Sequence, residues 1–250
     1  MSMIQALIGS FSNVLGAVYR VLHSLRFDGS NDYLSFTPST TSTSNKFTLS
    51  MWLKRDELGK FHYLMAATPG TSTEQSFRIN TNNSLAFFYW DGSTTDWYAE
   101  TTEVIDDYEW HHVVFAFDLS QSGADKVKIW IDGGSPSAHT AGSDYPSSAV
   151  WWGNSSYQHD IGSWRTEPNT EFSGQLAEIH FIDGQALDAS YFGETRSGQW
   201  VPKEVTGLTY GNNGFYLPFD RREEGVTLLL DGSGGGTATI TDNSAVGNTV

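Results

Sequence analysis

The chain has 250 residues, carries 29 acidic against 14 basic side chains for a net charge of −15, and contains no cysteine. The acidic excess speaks against a protein that tracks nucleic-acid phosphates with clustered Lys and Arg. The missing cysteines remove disulfides, thiolate catalysis and Cys-ligated metals, while 38% hydrophobic and 14% aromatic residues exclude wholesale disorder.

The first 24 residues differ from the rest. Ile4, Leu7, Phe11, Val14, Val18 and Val21 recur at spacings of three and four, the stripe of an amphipathic helix or short coiled coil. Gly9 and Gly16 each weaken an isolated helix by about 1 kcal/mol relative to Ala, so this one needs a partner surface. Gln5, Ser10, Ser12 and Asn13 interrupt the run of about 20 apolar residues that a membrane span requires. A signal peptide would open on Lys or Arg, yet Arg20 and Arg26 come late. The expectation is an assembly helix over 1–24, docking on other subunits or on its own copies; the alternative is a helix packed on its own domain.

Over 25–220 the period becomes two. Phe47, Leu49, Met51 and Leu53 alternate with Thr48, Ser50, Trp52 and Lys54, and Val113, Phe115 and Phe117 with His112, Val114 and Ala116. Val127, Ile129 and Ile131 alternate with Lys126, Lys128 and Trp130, and Ala177, Ile179 and Phe181 with Leu176, Glu178 and His180. Such alternation marks strands with two unlike faces. Asp28-Gly29, Asn82-Asn83, Asp91-Gly92, Asp132-Gly133-Gly134 and Asp183-Gly184 supply turns, so the expected fold is an all-β, two-sheet antiparallel sandwich. One helical turn is predicted after Asp188, which caps it, with Gly193 ending it. Over 221–250, Leu228-Leu229-Leu230 and Thr237-Ala238-Thr239-Ile240-Thr241 read as strands. They either extend a neighbouring sheet or open a shortened second module.

Several segments carry a resemblance. Residues 25–34 (from Leu25-Arg26-Phe27-Asp28-Gly29), 47–54 (from Phe47-Thr48-Leu49-Ser50-Met51-Trp52) and 109–118 (around Trp110-His111-His112-Val113) come in order, followed by 128–133 (around Ile129-Trp130-Ile131-Asp132) and 172–179 (around Gly174-Gln175-Leu176). Together they resemble laminin-G-like, concanavalin A-like jelly rolls. Ile182-Asp183-Gly184-Gln185-Ala186-Leu187-Asp188, Trp200-Val201-Pro202-Lys203 and Tyr210-Gly211-Asn212-Asn213-Gly214-Phe215-Tyr216-Leu217-Pro218-Phe219 are similar to laminin-G-like proteins of marine tailed bacteriophages. The resemblance implies a non-enzymatic virion protein: a tail fibre, spike or adaptor component. Its partners would be other virion proteins, its own copies and host surface glycans, with no nucleic acid and no membrane span. A capsid decoration protein and a free carbohydrate-binding lectin module are the alternatives.

Three chemistries are open to these residues. Sandwich glycanases need paired carboxylates about 5.5 Å apart on one strand, whereas Glu178-Ile179-His180-Phe181-Ile182-Asp183 puts a histidine where the central carboxylate would stand. His111 and His112, adjacent on a strand, point to opposite faces and cannot share a metal. Asp28, Asn31 and Asp32 crowd one turn and suit calcium, as in family members, with Glu178 a further ligand if the first and closing strands pair; an ordinary turn is the competing reading. For sugars, which stack on exposed rings, the candidates are Trp90, Trp97, Tyr98, Trp151, Trp152 and Trp164, at loop edges beside polar turns. The same rings also suit the core or a subunit interface, and Trp52, Trp110 and Trp130, mid-strand, are expected to pack beneath a loop or the other sheet.

Overall fold

In the computed structural model the described residues are 19–68, 73–90, 92, 96–136, 139–141, 157–164, 169–220, 228–229 and 239–242. Alternating patterns become strands wherever a turn former releases them: β1 (Leu25–Asp28), β2 (Leu34–Phe36), β3 (Lys46–Arg55), β4 (His62–Thr68), β5 (Glu74–Ile79), β6 (Ser84–Trp90), β7 (Asp96–Val104) and β8 (Trp110–Asp118). Then follow β9 (Val127–Ile131), β10 (His139–Ala141), β11 (Gln158–Ile161), β12 (Ser173–Asp183), β13 (Gly193–Arg196), β14 (Gln199–Pro202), β15 (Phe215–Leu217), β16 (Leu228–Leu229) and β17 (Thr239–Asp242). Among the described residues the first sheet runs β1-β12-β3-β8-β9, with β15 also on β12, and the second β10-β7-β6-β5-β4-β11-β2-β17-β16. β13 and β14 make a separate hairpin. The pairings are antiparallel, and β17 joins the second sheet through Thr241 opposite Ser35.

The two sheets close on one apolar layer. Phe47, Leu49, Met51 and Leu53 of β3 and Val113, Phe115 and Phe117 of β8 meet Phe77, Leu85, Phe87 and Trp97 of the second sheet. Phe115 and Phe77 touch across the sandwich with ring centroids 4.5 Å apart, and Phe117 and Phe87 with centroids 5.3 Å apart. Burying such rings supplies the sandwich with roughly 1.5–3 kcal/mol apiece.

The polar register of the first sheet is also covered. Residues 184–214 fold back over it, so Val114, Ala116, Trp130 and Ile182 pack against Leu187, Ala189, Phe192, Trp200 and Leu208. The polar residues beneath are satisfied: the Thr48 hydroxyl donates to the Gln185 carbonyl (2.9 Å) and accepts from the Leu187 amide (2.8 Å). Asp183 and the 210–219 segment form the clasp of this cover. Buried Asn213 donates its amide and side-chain nitrogen to Asp183 Oδ2 at 3.3 and 3.2 Å. Gly211, at φ +77°, lies so close to the Asp183 carbonyl that a β-carbon would come within 1.9 Å of its oxygen. The turn capped by Asp188 forms over Ala189–Tyr191 as a 3-10 helix, with Asp188 accepting from the Ser190 amide at 2.8 Å.

Two expectations change. For the N-terminal helix, Ile4, Leu7, Phe11, Val14 and Val18 lie outside the described residues, but Val21 lies in a stretch, 19–24, that is irregular chain. Side-chain anchoring through Tyr19, described below, holds this stretch against the sheet. Among the described residues there is no α-helix, and no helix long and apolar enough to cross a membrane. The strict alternation assigned to β12 also fails. Leu53 faces Leu176 and Trp52 faces Ala177, but Ser50 faces His180, so Glu178 and Ile179 together oppose Met51. This bulge leaves Leu176, Ile179 and Phe181 in the core, while Ala177 pairs with Trp52 of the opposite register.

Candidate functional site

The bulge on β12 organises the outer surface of the first sheet. Glu178 occupies it at φ +49°, a left-handed conformation that non-glycine residues adopt at a cost of about 1 kcal/mol or more. Its carboxylate accepts hydrogen bonds from the hydroxyls of Tyr216 (2.6 Å) and Tyr19 (3.0 Å). Burial, the largest influence, pushes the Glu178 carboxyl above the ordinary carboxylate range. Beside it, His180 stacks on Tyr216 with centroids 4.3 Å apart and shares a 2.7 Å hydrogen bond between Nδ1 and the Tyr210 hydroxyl. Burial, reinforced by His112, lowers His180 to about 3, so it is a neutral ring rather than a counter-ion for Glu178.

His112 completes the floor. The Trp200 indole N–H donates to its Nδ1 at 3.1 Å; Nδ1 therefore accepts, and the proton sits on Nε2, which donates to Ser50 Oγ at 2.9 Å. Burial drives His112 down to about 3. The space between Ser50, His112, Glu178, His180 and Phe192 is too tight for a water molecule. On the opposite register, His111 is held by Asp132 (2.7 Å) and Asp107 (2.9 Å), which raise it to about 9 with Asp132 the larger cause. The two histidines thus serve opposite faces, as strand geometry requires.

Next to this closed floor the surface opens into a groove of about 520 Å³, within the usual range for ligand sites. Trp52 of β3 and Trp110 of β8 line it. His112 faces Trp52 across the strands and Lys54 faces Trp110, so the two indoles are diagonal neighbours on the outer register. One wall is the strap Tyr19–Ser24, pinned to β12 through Tyr19 and Glu178, and the other is Val201 and Pro202 of β14. Trp110 is 37% exposed and Trp52 half-buried, so each offers part of an indole surface. The polar register gave the signal: an indole that shares the face of Thr48 and Ser50, or of His112, stands on the side opposite the core.

The residues singled out for sugar binding are dispersed. Trp97, 1% exposed, is a core residue packed edge-on against Phe87. Trp164 is buried over Tyr63 and Ala66. Trp97 shares the inward register of β7 with Ala99, and Trp164, in irregular chain after β11, is covered by its contact with Tyr63 and Ala66 of β4. Trp90 is half-buried and Tyr98 exposed, on the second sheet away from the groove, and Trp151 and Trp152 lie outside the described residues.

Of the proposed calcium ligands, Asp28, Asn31 and Asp32 share one turn and Glu178 lies apart from it. Asp28 Oδ1 accepts from the amides of Ser30 (2.8 Å) and Asn31 (3.2 Å), and Asp32 Oδ2 accepts from the Asp28 amide (3.0 Å), the hydrogen bonding of a self-capped turn. The strands do pair, but Asp28 faces Ser173, roughly 15 Å along β12 from Glu178 at about 3.3 Å per residue. Glu178 is therefore not a ligand for an ion at this turn. Among the described residues no three His, Cys, Asp or Glu side chains are grouped to hold a metal. Glu178 and Asp183 likewise serve separate networks: Asp183 accepts from the Ser42 hydroxyl (2.5 Å) and from Asn213, which is structural work.

An antiparallel jelly-roll sandwich with an aromatic groove across one sheet defines a lectin-like protein class. Residues 28–190 match the laminin-G family described as the concanavalin A-like lectin/glucanases superfamily, and the chain belongs to it. No curated protein sequence matches the chain. Domain 4 of the extracellular arabinanase AbnA from Geobacillus stearothermophilus, solved with arabinotriose, is similar in structure. The two share 18% identity and a TM-score of 0.50 over 68% of this chain and 75% of that one. A heptameric SAP-like pentraxin from Limulus polyphemus gives 14% identity and a TM-score of 0.41 over 68% and 76%. The Ruminococcus gnavus IT-sialidase CBM40, bound to sialyllactose, gives 10% identity and 0.47 over 68% and 93%.

Proposed function

We propose that the protein is a non-enzymatic component of a bacteriophage particle whose jelly roll binds surface glycans in the Trp52–Trp110 groove. The groove carries this reading: two indoles form an open apolar floor, bordered by the backbone and polar side chains of the strap. A pyranose presents an apolar C–H face to such rings and its hydroxyls to the rim. The non-enzymatic part is supported by Glu178, which is tied to two tyrosines and shares no network with Asp183. The particle role is supported by the likeness of 182–188, 200–203 and 210–219 to marine phage proteins, and their residues form the clasp over the first sheet. A glycan array with the parent protein and the Trp52→Ala and Trp110→Ala variants tests the groove, with binding by the parent and its loss in Trp110→Ala expected. Immunogold labelling of purified particles tests the location, and unlabelled particles would reject it in favour of a free lectin module.

A further inference from the structure

Basic side chains gather around the groove. The chain as a whole stands at −15. Yet Arg20 and His23 lie on the strap that forms one wall, and Lys54 stands directly across the strands from Trp110. Lys203, next to Pro202 at the other wall, lies against the floor and donates to the Ser190 carbonyl. Arg20 and Lys54 have no ion pair among the described residues, nor do Lys128 of β9 and the buried Arg55, whereas Arg26, Lys46, Lys60, Arg78 and Arg196 each have a carboxylate partner. The carboxylates nearby are Glu109, next to Trp110, and Glu204, next to Lys203, with Asp56, two residues along the chain from Lys54 and already paired with Arg26, and exposed Asp220, which acts on Glu178; the Glu178 carboxyl itself is sealed under the tyrosines. Two unpaired cations thus flank the half-buried Trp52 and the exposed Trp110 in a protein of net charge −15.

Resting on the glycan reading of this groove, we infer that its ligand is an acidic saccharide carrying carboxylates, of the hexuronate class, rather than a neutral glycan. The apolar ring face stacks on Trp110 and Trp52, while the carboxylates of neighbouring sugar units meet Lys54 on one side and Arg20 on the other. A guanidinium takes a carboxylate through two parallel N–H donors and an ammonium takes one as a point charge. Two free cations suit one carboxylate per sugar; a densely sulfated chain would need a longer row of them. The acidic surface beyond the groove then repels polyanions that fail to stack, which restricts binding to chains that place charge and ring face together.

Isothermal titration of the full chain with tetragalacturonate and with its fully methyl-esterified, neutral counterpart tests this. The free acid is expected to bind at least about tenfold more tightly than the ester, with affinity falling as salt rises from 25 to 500 mM. Lys54→Gln and Arg20→Gln, exposed or half-exposed changes that leave the fold intact, should each weaken the acid about fivefold and leave the ester unaffected. Equal binding of acid and ester, untouched by either substitution, overturns the inference while the glycan reading stands. Tighter binding of a sulfated tetrasaccharide than of the uronate also overturns it. Absence of binding by any saccharide, with circular dichroism showing a folded protein, removes both this inference and the glycan reading on which it rests.

Discussion

Lowering the pH from 7 to 5.5 should destabilise the protein through its buried neutral histidines. Burial drives His112 and His180 to about 3 and His62, packed edge-on against Phe172, to about 4. In the unfolded chain each titrates near 6.5, so between that value and the folded pKa the unfolded state binds the proton and the native state does not. Stability is therefore lost on acidification, by about 1.2 kcal/mol per histidine between pH 7 and 5.5, or about 4 kcal/mol for the three. His111, raised to about 9, has the opposite sign. Its contribution is full below the unfolded pKa and is lost as pH rises through 9, so it returns about 0.8 kcal/mol over the same interval. Glu74, Glu178 and Asp183, whose carboxyls burial raises, also favour the native state as pH falls, but chiefly as the pH approaches the carboxylate range. The net loss is about 3 kcal/mol, a fall of about 0.7 M in the guanidinium midpoint for a slope of about 4 kcal/mol/M. Tryptophan fluorescence at the two pH values measures it, and His62→Phe, similar in volume, should reduce the loss by about 1.2 kcal/mol. Equal midpoints at pH 7 and 5.5, or an undiminished drop in His62→Phe, would refute the assignment of these rings as buried and neutral.

Adjacent aromatics on β7 should behave oppositely: Trp97→Ala loses about 3–5 kcal/mol of stability and Tyr98→Ala less than about 1, both read from denaturant midpoints. Gly211→Ala should lose at least about 3 kcal/mol, because positive φ and the Asp183 carbonyl oppose a β-carbon together. Gly198→Ala, at positive φ but in open space, should lose only about 1 kcal/mol in the same thermal melt. Tyr19→Phe removes one hydrogen bond to Glu178 and should release the strap; amide exchange in residues 20–24 should accelerate while the exchange of β3 and β8 is unchanged.

The strands were legible because their cause is local. Phe47, Leu49, Met51 and Leu53 share one side of an extended chain whatever lies elsewhere, and they are the inner face of β3. The opposed His111 and His112 and the turn capped by Asp188 follow from backbone geometry within a few residues. The bulge at Glu178 was not legible, because a residue of that type gives no local reason to enter the left-handed region. The Tyr19 and Tyr216 hydroxyls, from distant parts of the chain, tie its carboxylate there, and the β3–β12 pairing frames the bulge on both sides. The tryptophans show the same division. Trp52 and Trp110 fall on the polar register in the sequence itself, but whether that register is covered depends on where 184–214 and the strap come to rest.

Alone, the sequence determined the sandwich, the order of its signature strands and the surplus of acidic charge, since periodicity, turn chemistry and composition need no partner. Tertiary structure decided which aromatics are core and which remain at the surface, and it set two unpaired cations beside two indoles in a chain of net charge −15. Burial and electrostatic environment are sums over residues far apart in sequence, so they exist only once the fold has brought those residues together.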